Sequence, residues 1–157
     1  MAGVTYFRMS LGERGKPPPA RWCEAWPEVL GHVFFAARPV GIPKAQAGGG
    51  ARLFYYLIGG DGPLVAVADV TGPPETGFAP PPRWTPSKAA HFKWRLPVDV
   101  RCRRPGDAEA PRWASFGLQK VGPGPFARIA DDAAARRIER AICAGGKDRR
   151  CDGTGAA

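Results

Sequence analysis

Basic and aromatic side chains alternate along one stretch of the chain, residues 83–104. The stretch contains three large aromatic rings, Trp84, Phe92 and Trp94, and a single acidic residue, Asp99. Cations that hold phosphates, placed between flat rings that stack on exposed bases, are typical of a nucleic-acid-binding surface. The alternative is a solvated charged face above a core that contains Phe92 and Trp94. The basic residues are Arg83, Lys88, Lys93, Arg95, Arg101, Arg103 and Arg104.

The charge of the whole chain points to the same class of partner. Its 157 residues include 23 Lys and Arg against 14 Asp and Glu, so the formal net charge is +9. A small protein this basic often meets a polyanion, and nucleic acid is the first candidate. A second basic group, Arg14, Lys16 and Arg21, flanks the prolines at residues 17–19 and can join the first group in space.

The chain has five tryptophans, which is more than a small core requires. Trp94 is expected in the core, because it lies beside a predicted strand and large rings dominate core burial. Trp22, Trp26 and Trp84 lie in loop-like, proline-rich surroundings. A tryptophan in such a loop either covers the core or forms a wall of a ligand pocket.

The sequence lacks the motifs of several well-known catalytic sites. It contains no G-x-x-x-x-G-K-[ST], H-E-x-x-H or G-x-S-x-G, and no zinc-deaminase signature. His91 could serve as a general base, but a lone histidine is more often structural. We therefore predict a protein that is not an enzyme. An enzyme acting on a nucleotide-like anionic substrate is one alternative, and a protein-interaction module using the proline-rich loops at residues 17–19 and 80–82 is another.

The four cysteines, Cys23, Cys102, Cys143 and Cys151, form no C-x-x-C pair, and neither histidine stands at ligand spacing from them. We therefore predict no metal site and no cofactor.

The first residues have no basic segment or apolar segment typical of a secretion signal, so a cytoplasmic protein without a disulfide framework is expected. Cys102 is expected to be a small core residue on the inward side of a strand. No apolar run approaches the roughly 20 residues of a membrane span, so no membrane partner is expected.

The hydrophobic pattern predicts an α+β fold, a small, strongly curved β-barrel of five to six strands with an early short helix and a C-terminal helix. Residues 53–58 and 64–70 are apolar on both faces, so this hairpin should lie inside the sheet. The last helix is predicted at residues 129–143, and Asp131 or Asp132 can cap it. We expect one domain at residues 1–145 and a disordered tail at 146–157. The other predicted strands are residues 4–9, 32–37, 116–121 and one within 92–102. Residues 21–30 hold the short helix, with Pro27 near its start or interrupting it.

Three stretches of the chain resemble the EVE domain family, which belongs to the PUA-like group together with YTH domains. Residues 6–10 (Tyr-Phe-Arg-Met-Ser) resemble the opening strand of that family. Residues 50–56, the turn Gly-Gly-Asp-Gly at 59–62 and residues 64–70 resemble its central hairpin. Residues 73–84, followed by 92–100, resemble its loop and basic strand. Together these stretches cover most of residues 4–104.

The resemblance implies a PUA-like barrel that binds a modified base, such as a methylated one, flipped out of a DNA or RNA strand into an aromatic pocket. Extruding a base costs a few kcal/mol, which stacking and hydrogen bonds to the base edge offset. By this resemblance Ser10 lies at the pocket edge, and Trp22 or Trp26, together with Trp84, forms the walls. The oligomeric state stays open. The residues expected to follow the phosphates are Arg14, Lys16, Arg21, Arg83, Lys88 and Lys93.

Overall fold

A computed structural model describes residues 3–12, 15–42, 50–58, 62–118 and 126–144 of the chain. It shows a mixed α+β fold in which a curled half-barrel sheet is combined with short helices, so the predicted α+β class is confirmed. The predicted tail and the tip of the central turn, residues 59–61, lie outside the described residues. The strands are β1 (Val4–Leu11), β2 (His32–Phe35), β3 (Gly50–Leu57), β4 (Leu64–Val70), β5 (Glu75–Thr76), β6 (Trp94–Arg103) and β7 (Phe126–Ile129), and the α-helices are α1 (Trp22–Ala25), α2 (Pro86–His91) and α3 (Asp132–Cys143).

The strand order is β2-β6-β4-β3-β1-β7, and the short β5 pairs with β6 beside this path. Strands β1 and β3 run parallel, and the other pairs are antiparallel. The hairpin of β3 and β4 lies in the middle of the sheet, which confirms its predicted interior position. A central strand is covered on both faces, and this explains why both strands are apolar at nearly every position.

The two faces of the sheet bury two separate clusters. Because side chains alternate along a strand, Phe7, Met9 and Leu11 of β1 face the inside of the curl. There they pack with the helix α1 and the 3₁₀ turn Pro27–Leu30. Tyr6 faces the opposite side, where the buried residues of α3 close the second cluster. The curled sheet is thus covered by different segments on its inner and outer faces.

Helix α3 begins at Asp132, and Asp131 caps it by accepting a 2.9 Å hydrogen bond from the backbone N–H of Ala134. The predicted cap is confirmed, but the helix starts later than residue 129 because Phe126–Ile129 pairs with β1 as β7. Arg52 of β3 ties the helix to the sheet. It donates to Glu139 at 2.7 Å and to Asp69 at 2.8 Å.

A disulfide joins Cys102 of β6 to Cys143 in the last turn of α3, with their Cα atoms 5.4 Å apart. Cys23 is disulfide-bonded as well. The prediction that the chain has no disulfides was wrong. Cys102 is buried as expected, but on the outer face of the sheet, where α3 brings Cys143 within bonding distance. A separation of 41 residues gave no local spacing signal for this pair.

The structure interrupts one further predicted element, as one of the expected alternatives, and contradicts another. The early helix is divided, because Pro27 ends α1 and starts the 3₁₀ turn Pro27–Leu30. The strand predicted at residues 116–121 is wrong in its described part, where the 3₁₀ turn Trp113–Phe116 ends at Gly117 with a positive φ of 70°. Within the described ranges, no helix combines the length and the hydropathy that crossing a membrane requires.

Candidate nucleic-acid interface

The loop between β5 and β6 folds over the outer side of β2. Val33 and Phe35 of β2 are buried in the inner core, so Phe34 points outward. Phe34 contacts the rings of Phe78 and Trp84, with centroid distances of 5.8 and 4.7 Å. These residues and Phe92, whose ring centroid lies 5.7 Å from that of Trp84, form what we call the aromatic cluster. All four members are partly exposed, so the cluster is a surface layer and not a second core.

Short-range contacts fix the position of Trp84 at the start of α2. Its backbone N–H closes a turn on the carbonyl of Pro81 at 3.0 Å, and Thr85 caps the helix by accepting from the N–H of Lys88 at 3.2 Å. The indole N–H donates to Glu28 of the 3₁₀ turn at 3.1 Å. The ring is therefore held in place by its edges, and the Lys88 ammonium lies 5.1 Å from its centroid.

The predicted cations around Trp84 lack carboxylate partners. Arg83, Lys88 and Lys93 make no ion pair with any carboxylate among the described residues. Arg95 and Arg101, from the same basic stretch, are paired instead. Arg95 contacts Glu75 at 2.7 Å and Arg101 contacts Asp69 at 3.6 Å. Two arginines of β6, Arg95 and Arg101, are thus compensated, whereas the basic residues around α2 are not.

The two basic groups of the sequence meet at Glu24. Arg21 pairs with the Glu24 carboxylate at 3.6 Å, and Arg83 donates to the Glu24 carbonyl at 3.1 Å. Lys16 is exposed on the segment before α1, while Arg14 lies outside the described residues. The surface around Trp84 therefore continues toward Arg21, as the sequence suggested.

Trp22 was predicted as a wall of the ligand pocket, but the structure places it in the core. Its side chain is fully buried, and its indole N–H donates to the carbonyl of Arg104 at 2.8 Å. Its ring meets that of Tyr55 edge to face at 5.7 Å. Because both the ring and its N–H are enclosed by protein, Trp22 offers no surface to a base in this conformation, and the assignment of Trp22 to the pocket is corrected.

Ser10 and Trp26 lie at the end of β1, but on different sides of it. Trp26 is half-buried against the inner core, and its Cη2 atom would lie 3.5 Å from a Cβ placed at Gly12. The Ser10 hydroxyl instead accepts a 2.5 Å hydrogen bond from Arg8 on the outer face. The four predicted pocket residues therefore do not form one cavity wall, because Trp22 is enclosed and Ser10 and Trp26 lie on opposite faces of the sheet.

Arg8 is an unusual residue of the outer face that the sequence did not single out. Its side chain is 1% exposed, and the rings of Tyr56 and Trp113 lie 5.8 and 6.0 Å from its guanidinium carbon. Burial lowers the pKa of the Arg8 guanidinium, and Tyr56 opposes this. The signal available in the sequence was a charged residue between the apolar Phe7 and Met9 of a strand that is otherwise largely apolar.

The other candidates for chemistry lie apart from one another. Asp69 and Glu75 are engaged by arginines, whereas Asp99 and His91 are exposed. Asp61 lies outside the described residues. No group of three or more His, Cys, Asp or Glu with the geometry of a metal site occurs in the described part of the chain.

The surroundings of His32 predict that the free energy of unfolding depends on pH. Burial and then the nearby Arg95 lower the pKa of His32 from 6.5, while Glu75, 3.7 Å from its Nε2, raises it. The folded state therefore binds fewer protons than the unfolded state just below pH 6.5, so the free energy of unfolding should fall as the pH drops through this window. Urea denaturation between about pH 7.5 and about pH 5 measures the slope.

His32→Gln should flatten the slope of unfolding free energy against pH. His91→Gln provides the control, because His91 is an exposed histidine outside the group formed by His32, Arg95 and Glu75. Equal slopes in the wild type and in His32→Gln would show that other groups cause the dependence.

No family model and no curated protein matches the chain.

Proposed function

We propose that this protein is a non-catalytic nucleic-acid-binding domain. In this proposal Arg83, Lys88 and Lys93 hold the phosphate backbone, and Trp84 stacks on an unpaired base. The observation that carries the proposal is a partly exposed tryptophan, held by its indole N–H, beside Arg83 and Lys88, which have no carboxylate partner among the described residues.

The geometry suits a single strand or an extruded base. Neutralising phosphates releases counterions, which makes binding favourable at low salt. Stacking on an aromatic ring adds about 1–3 kcal/mol per base and tolerates any base. Lys88 covers one face of Trp84 in the free protein. A base that stacks on that face displaces the ammonium, and the flexible lysine is then free to reach the adjacent phosphate.

The finer proposal is that the bound base is flipped out and modified, and it rests on the resemblance to EVE domains. Trp84 and Trp26 are the remaining candidates for its walls, because both are partly exposed and Trp22 is enclosed. A methyl group on the base adds apolar area worth about 0.8 kcal/mol when buried. A preference for methylated over unmethylated oligonucleotides would support this proposal, and loss of that preference in Trp26→Ala would place the base beside Trp26.

The proposal predicts that binding depends on salt and on Trp84. Trp84→Ala should weaken binding of a single-stranded oligonucleotide by about 1–3 kcal/mol, roughly 5- to 150-fold, through loss of stacking. The triple variant Arg83→Ala/Lys88→Ala/Lys93→Ala should lower the slope of log K against log salt by about 2, since each lost phosphate contact removes about 0.7 on a single strand. Fluorescence anisotropy at several salt concentrations measures both.

The matched control removes the same charge from another surface. Arg136, Arg137 and Arg140 are exposed on α3, so Arg136→Ala/Arg137→Ala/Arg140→Ala changes the net charge equally. If both triple variants lose the same affinity, binding follows net charge and the surface around Trp84 is not the interface. If wild-type protein retains no oligonucleotide at low salt, the proposed function fails.

A further inference from the structure

Arg8 occupies a place in the sheet where a charged residue is costly. In β1 it lies between Phe54 of β3 and Ala127 of β7, two residues from Ser10 on the same face. Its side chain is almost completely enclosed. A buried cation normally has a carboxylate partner, because an unpaired charge loses its hydration without compensation. Among the described residues, no carboxylate forms an ion pair with Arg8.

The hydrogen bonds of this guanidinium are incomplete. Nη1 donates to Ser10 Oγ at 2.5 Å, and the buried Nη2 has no hydrogen-bond partner in the part of the chain that the structure describes. Native proteins rarely leave such a group unsatisfied, because a water molecule, an ion or a ligand normally completes its hydrogen bonds. The faces of Tyr56 and Trp113 compensate part of the charge but accept no N–H···O hydrogen bond.

The arrangement provides two adjacent donors. Since Ser10 Oγ accepts from Arg8, the Ser10 hydroxyl proton is available to a further acceptor. The Nη2 amine offers N–H groups beside it. Two donors from a cation and a hydroxyl match an oxyanion, which accepts through several oxygens and also balances the charge. A water molecule would complete the hydrogen bonds but leave the positive charge unpaired.

We propose that Arg8 and Ser10, beside the rings of Tyr56 and Trp113, form a binding site for an oxyanion such as phosphate. The anion is either free inorganic phosphate or a terminal phosphate of a nucleotide or an oligonucleotide, because both present the same oxygens. Access runs along Ser10, Tyr56 and Trp113, which are only partly buried. The site lies on the outer face of β1 and is separate from the surface around Trp84, so it stands or fails independently of the proposed function.

Phosphate should therefore stabilise the folded protein in a saturable way. A ligand that binds the folded state alone raises the melting temperature with its concentration. We expect this shift in wild-type protein titrated with inorganic phosphate at constant ionic strength set with chloride. Ser10→Ala should weaken apparent phosphate affinity about tenfold, and Arg8→Met should abolish the shift. Arg128→Met, an exposed arginine of β7, is the control that keeps it.

Titrations with other phosphate compounds identify the source of the anion, and two outcomes would contradict the proposal. A tighter response to a nucleoside monophosphate or a 5′-phosphorylated oligonucleotide than to inorganic phosphate assigns the site to a nucleic-acid end. An equal response assigns it to the free ion. If Arg8→Met does not fold, Ser10→Ala decides the question. No saturable shift in the wild type, or an unchanged shift in Ser10→Ala, overturns the proposal and leaves a water molecule on Nη2.

Discussion

Replacing Trp22 by alanine should lower the free energy of unfolding by about 3–5 kcal/mol, the usual cost of removing a large buried ring. The ring is fully enclosed in the inner core and packs edge to face on Tyr55. Its loss leaves a large cavity and removes the hydrogen bond to the Arg104 carbonyl. Urea denaturation measures the change. For a domain with about 5–15 kcal/mol of total stability, Trp22→Ala is near the limit of what the fold tolerates.

Two further variants separate packing from binding. Trp22→Phe keeps most of the ring and loses the hydrogen bond at 2.8 Å, so a cost of about 1–3 kcal/mol is expected. Trp84→Ala should cost much less than Trp22→Ala, because Trp84 is partly exposed. In binding assays the order should reverse, with Trp84→Ala defective and Trp22→Phe normal. A binding defect in folded Trp22→Phe would return Trp22 to the ligand site.

Residue types and local patterns predicted the scaffold well where one physical rule dominated. The apolar runs at 53–58 and 64–70 predicted a buried hairpin, since only a central strand hides both faces. Asp131 was one of the two predicted caps, because a carboxylate before an alanine-rich run can accept the free N–H groups of a helix. The strand β7 escaped prediction, because four residues give too short a pattern and its pairing with β1 is set by tertiary structure.

The candidate site was predictable in composition but not in geometry. The basic and aromatic stretch showed that cations and rings would be neighbours, and Trp84, Arg83 and Lys88 do share one surface. Which tryptophan is exposed depends on where the chain folds back. Trp22 and Trp26 have similar sequence surroundings, yet one is enclosed and the other half-buried. Arg8 shows the same limit, since a lone cation in a strand does not reveal whether its partner is protein, solvent or ligand.

The pairing of Cys102 with Cys143 depends in the same way on tertiary structure, and it bears on where the protein works. Four cysteines allow three pairing schemes, so the sequence alone does not identify the partner of Cys102. The docking of α3 on β6 brings Cys143 to it. Disulfides persist mainly in oxidising compartments. The cytoplasmic location expected from the sequence stays a prediction, and the disulfide is the structural feature that weighs against it.

Removing this disulfide should have the second large effect on stability. The chain-entropy model gives about 4 kcal/mol for a loop of 41 residues, and measured losses are typically about 2–4 kcal/mol. Cys102→Ala/Cys143→Ala should therefore unfold at lower urea than the oxidised wild type. Adding dithiothreitol to the double variant isolates the contribution of the other bond, at Cys23. Equal stability of the oxidised wild type and the double variant would contradict a stabilising cross-link.

Loss of the disulfide should lower the free energy of unfolding, while α3 stays packed against the sheet. Ile138 and Ile142 remain buried against the sheet, and Arg52 still bridges Asp69 and Glu139. The helix signal in circular dichroism should thus be unchanged at low urea, while the unfolding midpoint falls. If the helix is lost before the sheet unfolds, the disulfide holds α3 in place by itself and the apolar contacts do not suffice. The two outcomes differ in cooperativity, because a single transition requires that α3 and the sheet unfold together.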